Sequence, residues 1–178
     1  MSDWAGEILS FWFALDPHQH WKQDDALDAE IEERFLDLWE EQSGRVAEDF
    51  LGSAREALAA VILFDQFPRN MFRRHARSFA TDHLALKIAK AAIDKGHDER
   101  LPGEQRGFLY MPFQHSEDLD DQQRSVLLFT ALGDPEMLRY ARLHHDVIVR
   151  FGRFPHRNAT LGREPRPDEI AAGDVTPW

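Results

Sequence analysis

The sequence predicts an all-α chain, and three observations carry that reading. Apolar residues recur at three- and four-residue spacing along most of the length, glycines and prolines fall where such runs end, and no alternating apolar–polar stretch persists. At 178 residues the chain fits one domain, residues 1–178, with enough length to bury a substantial core. An apolar fraction of 43% is ordinary for a globular protein and argues against disorder.

The elements follow in order. Trp4, Ile8 and Trp12 mark one face of a first helix that ends before Pro17. Leu27, Ile31, Phe35, Leu38 and Trp39 stripe a second, with acids on its other faces, Asp24 or Asp25 as its cap and Gly44 as its end. Ser53 and Glu56 have capping-box spacing and open a third. That helix is apolar all round from Ala57 to Phe64, which predicts a central, buried position, and Pro68 is expected to stop it. A fourth starts between Ser78 and Asp82, turns Leu84, Ile88 and Ala91 inward, and stops at Gly96. A fifth covers Glu104 to Phe113, with Pro112 expected to disrupt its end. Asp118 or Asp120 opens a sixth that closes at Gly133. Asp134-Pro135 joins a cap residue to proline at the first helical position and opens a seventh, which runs to Phe151 before Gly152. Arg153 to Arg166 reads as an ordered loop, followed by a short last helix over Asp168 to Ala172.

Charge is unevenly placed. The net charge is −11, and residues 1–60 carry 15 acids against 4 bases, while the remainder carries 17 of each. Fourteen of the later bases are arginine. Without a net basic surface, nucleic acid is not an expected partner. The longest apolar run, Ala57 to Phe64, falls far short of the ~20 residues a membrane span needs, so no membrane partner is expected either. The chain has no cysteine, which removes disulfides, thiol nucleophiles and thiolate-bound metals. With no basic, then apolar, leader at its start, it reads as cytoplasmic.

Two segments echo each other: Phe67-Pro68-Arg69-Asn70 and Phe154-Pro155-His156-Arg157-Asn158, each just after a helix. Cations gather around both. Arg69, Arg73, Arg74, His75 and Arg77 form one group, and Arg150, Arg153, His156, Arg157 and Arg163 the other, each spanning a stretch free of acids. A planar guanidinium suits a carboxylate or phosphate. These arginines can therefore hold an anionic ligand, or they can pair with Asp65, Glu117 and Asp118 and tie helix ends together. Asp65, at the end of an apolar helix, opposes the helix dipole and requires a cation, expected from 69–74 or 150–157.

His115-Ser116-Glu117-Asp118 can supply acid–base chemistry or metal ligands, or can simply cap the next helix. His144 shares the inward stripe of Met137, Ala141, Ile148 and Phe151, whereas His18 and His20 are expected in solvent. No H-E-x-x-H, Asp-rich calcium loop, glycine-rich phosphate loop or G-x-S-x-G elbow occurs, so neither metal nor cofactor is expected.

Three strings carry a family resemblance: Leu63-Phe64-Asp65-Gln66-Phe67-Pro68-Arg69-Asn70; Tyr110 to Asp118 with Gln122, Arg124 and Ser125; and Arg150 to Asn158. With Ile8 to Phe13 at the start and Leu161-Gly162-Arg163 near the end, the chain resembles the bacterial domain-of-unknown-function family 924. It departs at Gln114, where a small hydrophobe or Met is usual, and in its shorter C-terminal end. The resemblance implies a tetratricopeptide-like α-α superhelix, or a compact antiparallel array of about seven to eight helices. It implies no reaction. It does imply a characteristic polar set: Asp65, Arg69, Asn70, His115, Glu117, Asp118, Arg124, His144, Arg150, Arg153, His156, Arg157 and Asn158.

The leading expectation is a binding module that holds a small anionic molecule or an acidic peptide end on Arg69, Arg153 and Arg157. One alternative is an enzyme in which His115 or His156, oriented by Glu117 or Asp118, does acid–base work on an anionic substrate. The other is a purely architectural polar network, with protein interaction on another surface. All three require the segments near 65–70, 115–118 and 153–158 to meet.

Overall fold

Helices form where the sequence caps them. The computed structural model describes residues 3–178. Helix α1 (Trp4–Ala14) opens on Asp3, whose carboxylate accepts the Gly6 N–H. Asp24 caps α2 (Asp25–Gln42) by accepting from Ala26 and Leu27. Ser53 caps α3 (Ala54–Val61) by accepting from Glu56. Later come α5 (Asp82–Asp94), α6 (Gly103–His115), α7 (Leu119–Leu132) capped by Asp118, and α8 (Pro135–Phe151) capped by Asp134. Gly96, Gly133 and Gly152 all take positive φ just past their helices, a conformation open to glycine at little cost. No strand occurs among the described residues, and no helix among them is long and apolar enough to cross a membrane.

Pro68 does not stop the central helix. Ile62–Gln66 form a π turn, in which Phe67 N–H donates to Ile62 C=O five residues back, and α4 (Phe67–Met71) carries straight on. Proline then falls in the first turn of a new α segment, where a missing N–H costs little. Pro112 likewise lies inside α6, which reaches His115. The end of α6 is held from the next helix: Gln122 Nε2 donates to the carbonyls of Gln114 and Ser116, both at 2.7 Å. The expected loop after Arg153 contains a 3-10 turn (Pro155–Arg157) and α9 (Asn158–Leu161), before α10 (Pro167–Ala172). Glu169 organises it, accepting from Arg153 Nε at 2.6 Å, Asn158 Nδ2 at 2.9 Å and Arg166 N at 2.8 Å.

The segment from Ala57 to Phe64 is wholly buried, as its composition demands. Helix α3 packs against α1, α5 and α6, while α6–α7 and α7–α8 are hairpins with short links. The helices make a compact array around Ile8, Trp12, Ile31, Phe35, Phe64, Phe67 and Phe113. Within it the π turn, the C-terminal end of α6 and the 3-10 turn at Pro155 lie side by side. His20 is not in solvent: the turn Pro17–His20 folds back, placing Nε2 2.9 Å from the Trp12 carbonyl with the two rings 4.6 Å apart.

Candidate functional site

The π turn sets Asp65 facing inward, with its side chain fully buried. π turns inside α-helices recur at functional sites, because the extra residue re-aims side chains that an α register would turn elsewhere. The principal partner of Asp65 is an imidazole rather than a guanidinium: His115 Nδ1 lies 2.8 Å from Oδ1 and 3.0 Å from Oδ2. Gln66 Nε2 donates to Oδ2 at 2.6 Å, and Arg69 stands 3.6 Å from Oδ1 while also donating to the Asp65 carbonyl. Burial pushes the Asp65 carboxyl up, but His115, Arg69 and Gln66 outweigh it and hold it below the usual carboxylate range. A carboxylate only accepts, so Nδ1 of His115 carries the proton. Burial, then the Arg69 charge, lowers the His115 pKa against the opposing pull of Asp65. The neutral ring therefore presents an unprotonated Nε2, and among the described residues the hydrogen bonds of the His115 ring are those of Nδ1 to Asp65.

Most surrounding arginines are already paired. Arg69 forks onto Asp82 at 2.8 and 2.9 Å. Arg163 forks onto Glu117 at 2.7 and 3.0 Å, and Glu117 also accepts the Phe154 N–H at 2.7 Å. Burial raises the Glu117 pKa, but Arg163 and the Phe154 amide reverse that and lower it overall.

Arg157 differs. It is 7% exposed, and its guanidinium lies between the rings of Phe79 (4.6 Å) and Phe154 (4.5 Å). It donates to the His115 carbonyl at 3.1 Å, and among the described residues its nearest carboxylate oxygen is 3.8 Å away on Asp82 and its buried Nε has no partner. Burial, followed by repulsion from Arg69, lowers its pKa to about 10, so it stays charged at neutral pH.

Two more imidazoles line the place. The His144 ring is 6.2 Å from His115 and 5.6 Å from Phe154, and its Nδ1 donates to the Tyr140 carbonyl at 2.8 Å. His156 packs 5.6 Å from Phe154 and 4.8 Å from Trp178, and its buried Nδ1 has no partner among the described residues. Burial is the leading cause that lowers His144 to about 3 and His156 to about 4. Among the described residues, no group of three or more His, Asp or Glu is arranged to hold a metal ion. The hollow of about 390 Å³ lined by Asp16, His18 and Lys22 lies away from these groups.

The three expected segments do meet, through Asp65 with His115, Glu117 with Phe154, and Arg157 with His115. Part of the expected set lies outside. Asn70 and Arg73 bind Asp28 on α2, Arg153 and Asn158 bind Glu169, and Asp118 is the cap of α7. Arg124 sits on the surface 3.6 Å from Asp94, and Arg150 lies over Phe151. The basic group from Arg69 to Arg77 is dispersed, because Arg69 reaches Asp82 on α5 while Arg73 and Arg77 reach Asp28 and Glu40 at opposite ends of α2. Neither Glu117 nor Asp118 orients a histidine; Asp65 does. Asp82, Gln66, Phe79 and Arg163 also belong to the site, and Asp82 stood out in the sequence only as a helix start.

The family model described as "Bacterial protein of unknown function (DUF924)" matches residues 8–172. The chain belongs to the DUF924 family. A solved structure of a protein of unknown function from Agrobacterium tumefaciens, ATU0120, is similar to it. The two share 40% identity with a TM-score of 0.89, over 94% of this chain and 95% of that one. No curated protein matches. In this DUF924 chain the segments around Asp65 and His115 meet directly across the site.

The buried imidazoles give the DUF924 chain a predictable acid response. An unfolded histidine titrates near 6.5, whereas folded His144 titrates at about 3 and His156 at about 4. Between those values the unfolded state binds more protons, so stability falls as pH drops from about 6.5. Below about 4 the lowered Asp65 and Glu117 act in the same direction. Urea denaturation across pH 7 to 4 should show the decline, and His144→Gln should reduce its slope by about 1.4 kcal/mol per pH unit, the value for one proton. An unchanged slope in that variant would contradict the burial of a neutral His144.

Proposed function

We propose that the chain binds a small anionic molecule, a carboxylate or a phosphate, at the junction of the π turn, the end of α6 and the 3-10 turn at Pro155. The observation that carries this reading is the state of Arg157: a charged guanidinium, desolvated between two phenyl rings, with no carboxylate in hydrogen-bonding reach. Arg69, Arg153 and Arg163 are each spent on a bidentate acid, so among these described arginines Arg157 is the cation left for a ligand. A buried, under-paired cation is unfavourable unless something completes it. His115, His144 and His156 add polar nitrogens around it, and Phe154 and Trp178 supply apolar walls.

The test is ligand-induced stabilisation followed by calorimetric titration, using inorganic phosphate, acetate, succinate and citrate as probes. At least one should raise the melting temperature in proportion to the logarithm of its concentration. The effect should vanish in Arg157→Gln and persist in Arg150→Gln, which alters an exposed arginine away from the junction. No response to any probe, or an equal response in Arg157→Gln, overturns the reading.

A further inference from the structure

Asp65 is a larger investment than holding an anion requires. A fully buried carboxylate stands behind an imidazole, both its oxygens within reach of Nδ1, and among the described residues the far nitrogen of that ring makes no hydrogen bond. This is the arrangement in which a carboxylate fixes a histidine tautomer and stabilises the imidazolium formed when Nε2 takes a proton. Among the described residues no side-chain nucleophile is hydrogen-bonded to His115. Ser116, its neighbour in sequence, donates its hydroxyl to Asp121 at 2.9 Å instead. The proton must then come from water or from the bound molecule.

We infer that His115, positioned by Asp65, is a general base that activates water to hydrolyse an ester bond in the anionic molecule held by Arg157. The inference rests on the binding reading above. His115 Nε2 removes a proton from water as the water oxygen bonds to the acyl carbon or phosphorus. The bond to the leaving oxygen breaks, and the proton on Nε2 passes to that oxygen. Water and ester become acid and alcohol, and His115 returns to its starting tautomer. Arg157, which donates to the His115 backbone carbonyl, is assigned the negative charge that develops on the substrate. His115 is the catalytic residue. Asp65 is a positioning residue, because it acts through the ring.

Mono-p-nitrophenyl succinate and p-nitrophenyl phosphate are suitable probes, since they place a carboxylic and a phosphoric ester beside a negative charge. One of them should be hydrolysed faster than in buffer, and His115→Gln should lower kcat by ~10²-fold or more. Asp65→Asn, nearly isosteric, should lower kcat with KM little changed. An amide that donates to Nδ1 favours the tautomer with the proton on Nε2. Ring ¹⁵N chemical shifts should therefore show the proton on Nδ1 in the unmodified protein and on Nε2 in Asp65→Asn, a readout that a merely structural role would not move. The inference is overturned if neither ester is cleaved, if His115→Gln cleaves as fast as the unmodified protein, or if the unmodified protein carries its proton on Nε2. Anion binding without cleavage removes this inference and leaves the binding reading intact, whereas absence of anion binding removes both.

Discussion

Asp65→Ala is expected to lower the unfolding free energy by about 3 kcal/mol, through buried donors left without an acceptor. The His115 Nδ1–H and the Gln66 amide both lose their partner, and neither is placed to reach water freely. Breaking a buried ion pair can cost roughly 3–5 kcal/mol when it strands a charge. Here the charge is not stranded, because Arg69 keeps both oxygens of Asp82, so the expected loss lies at the lower end. For a chain of this length that means a melting temperature lower by roughly 6–12 °C. Urea denaturation at pH 7 measures it, and a loss below about 1 kcal/mol would mean that His115 and Gln66 readily find other acceptors.

Arg157→Met should have the opposite effect on stability while removing the anion response. Met has nearly the reach of the arginine stem and can stay between Phe79 and Phe154, where sulfur–ring contacts replace the cation–π ones. The change forfeits one hydrogen bond to the His115 carbonyl and a weak attraction to Asp82 at 3.8 Å. It also relieves the burial of an incompletely paired charge, and replacing buried ionic groups with matched apolar ones is often neutral or stabilising. Stability should hold or rise by about 1 kcal/mol. Anion affinity should fall by ~10²-fold or more, the scale of losing one partner from a buried charge pair. Paired melts with and without phosphate or succinate read both effects. A destabilisation beyond about 2 kcal/mol would mark Arg157 as a structural tie.

The contrast between Arg157 and its neighbours explains how legible the site was. The arginine-rich segments and their convergence with 115–118 could be anticipated, because the same short strings mark both the helix ends and the polar groups. Which arginine remained available could not. Arg153, Arg157 and Arg163 lie within eleven residues of one another, yet Arg153 meets Glu169, Arg163 meets Glu117, and Arg157 meets two phenyl rings. The composition of the segment does not distinguish them.

What the sequence determined by itself is the set of helices and their caps. Asp24, Ser53, Asp118 and Asp134 accept from amides two or three residues ahead, and Gly96, Gly133 and Gly152 take up positive φ where the runs end. These interactions close within a turn of chain, so they are fixed before distant segments meet. The tertiary structure decided the rest: the π turn that carries the central helix past Pro68, and the pairing of Asp65 with His115, fifty residues apart. Each acid had several cations available, and only the packing of α6 against the central helix brings one imidazole within 3 Å and sets Arg157 between two phenyl rings rather than on a carboxylate. Charge pairing between helices depends on distances in space, and those distances are set by the fold as a whole.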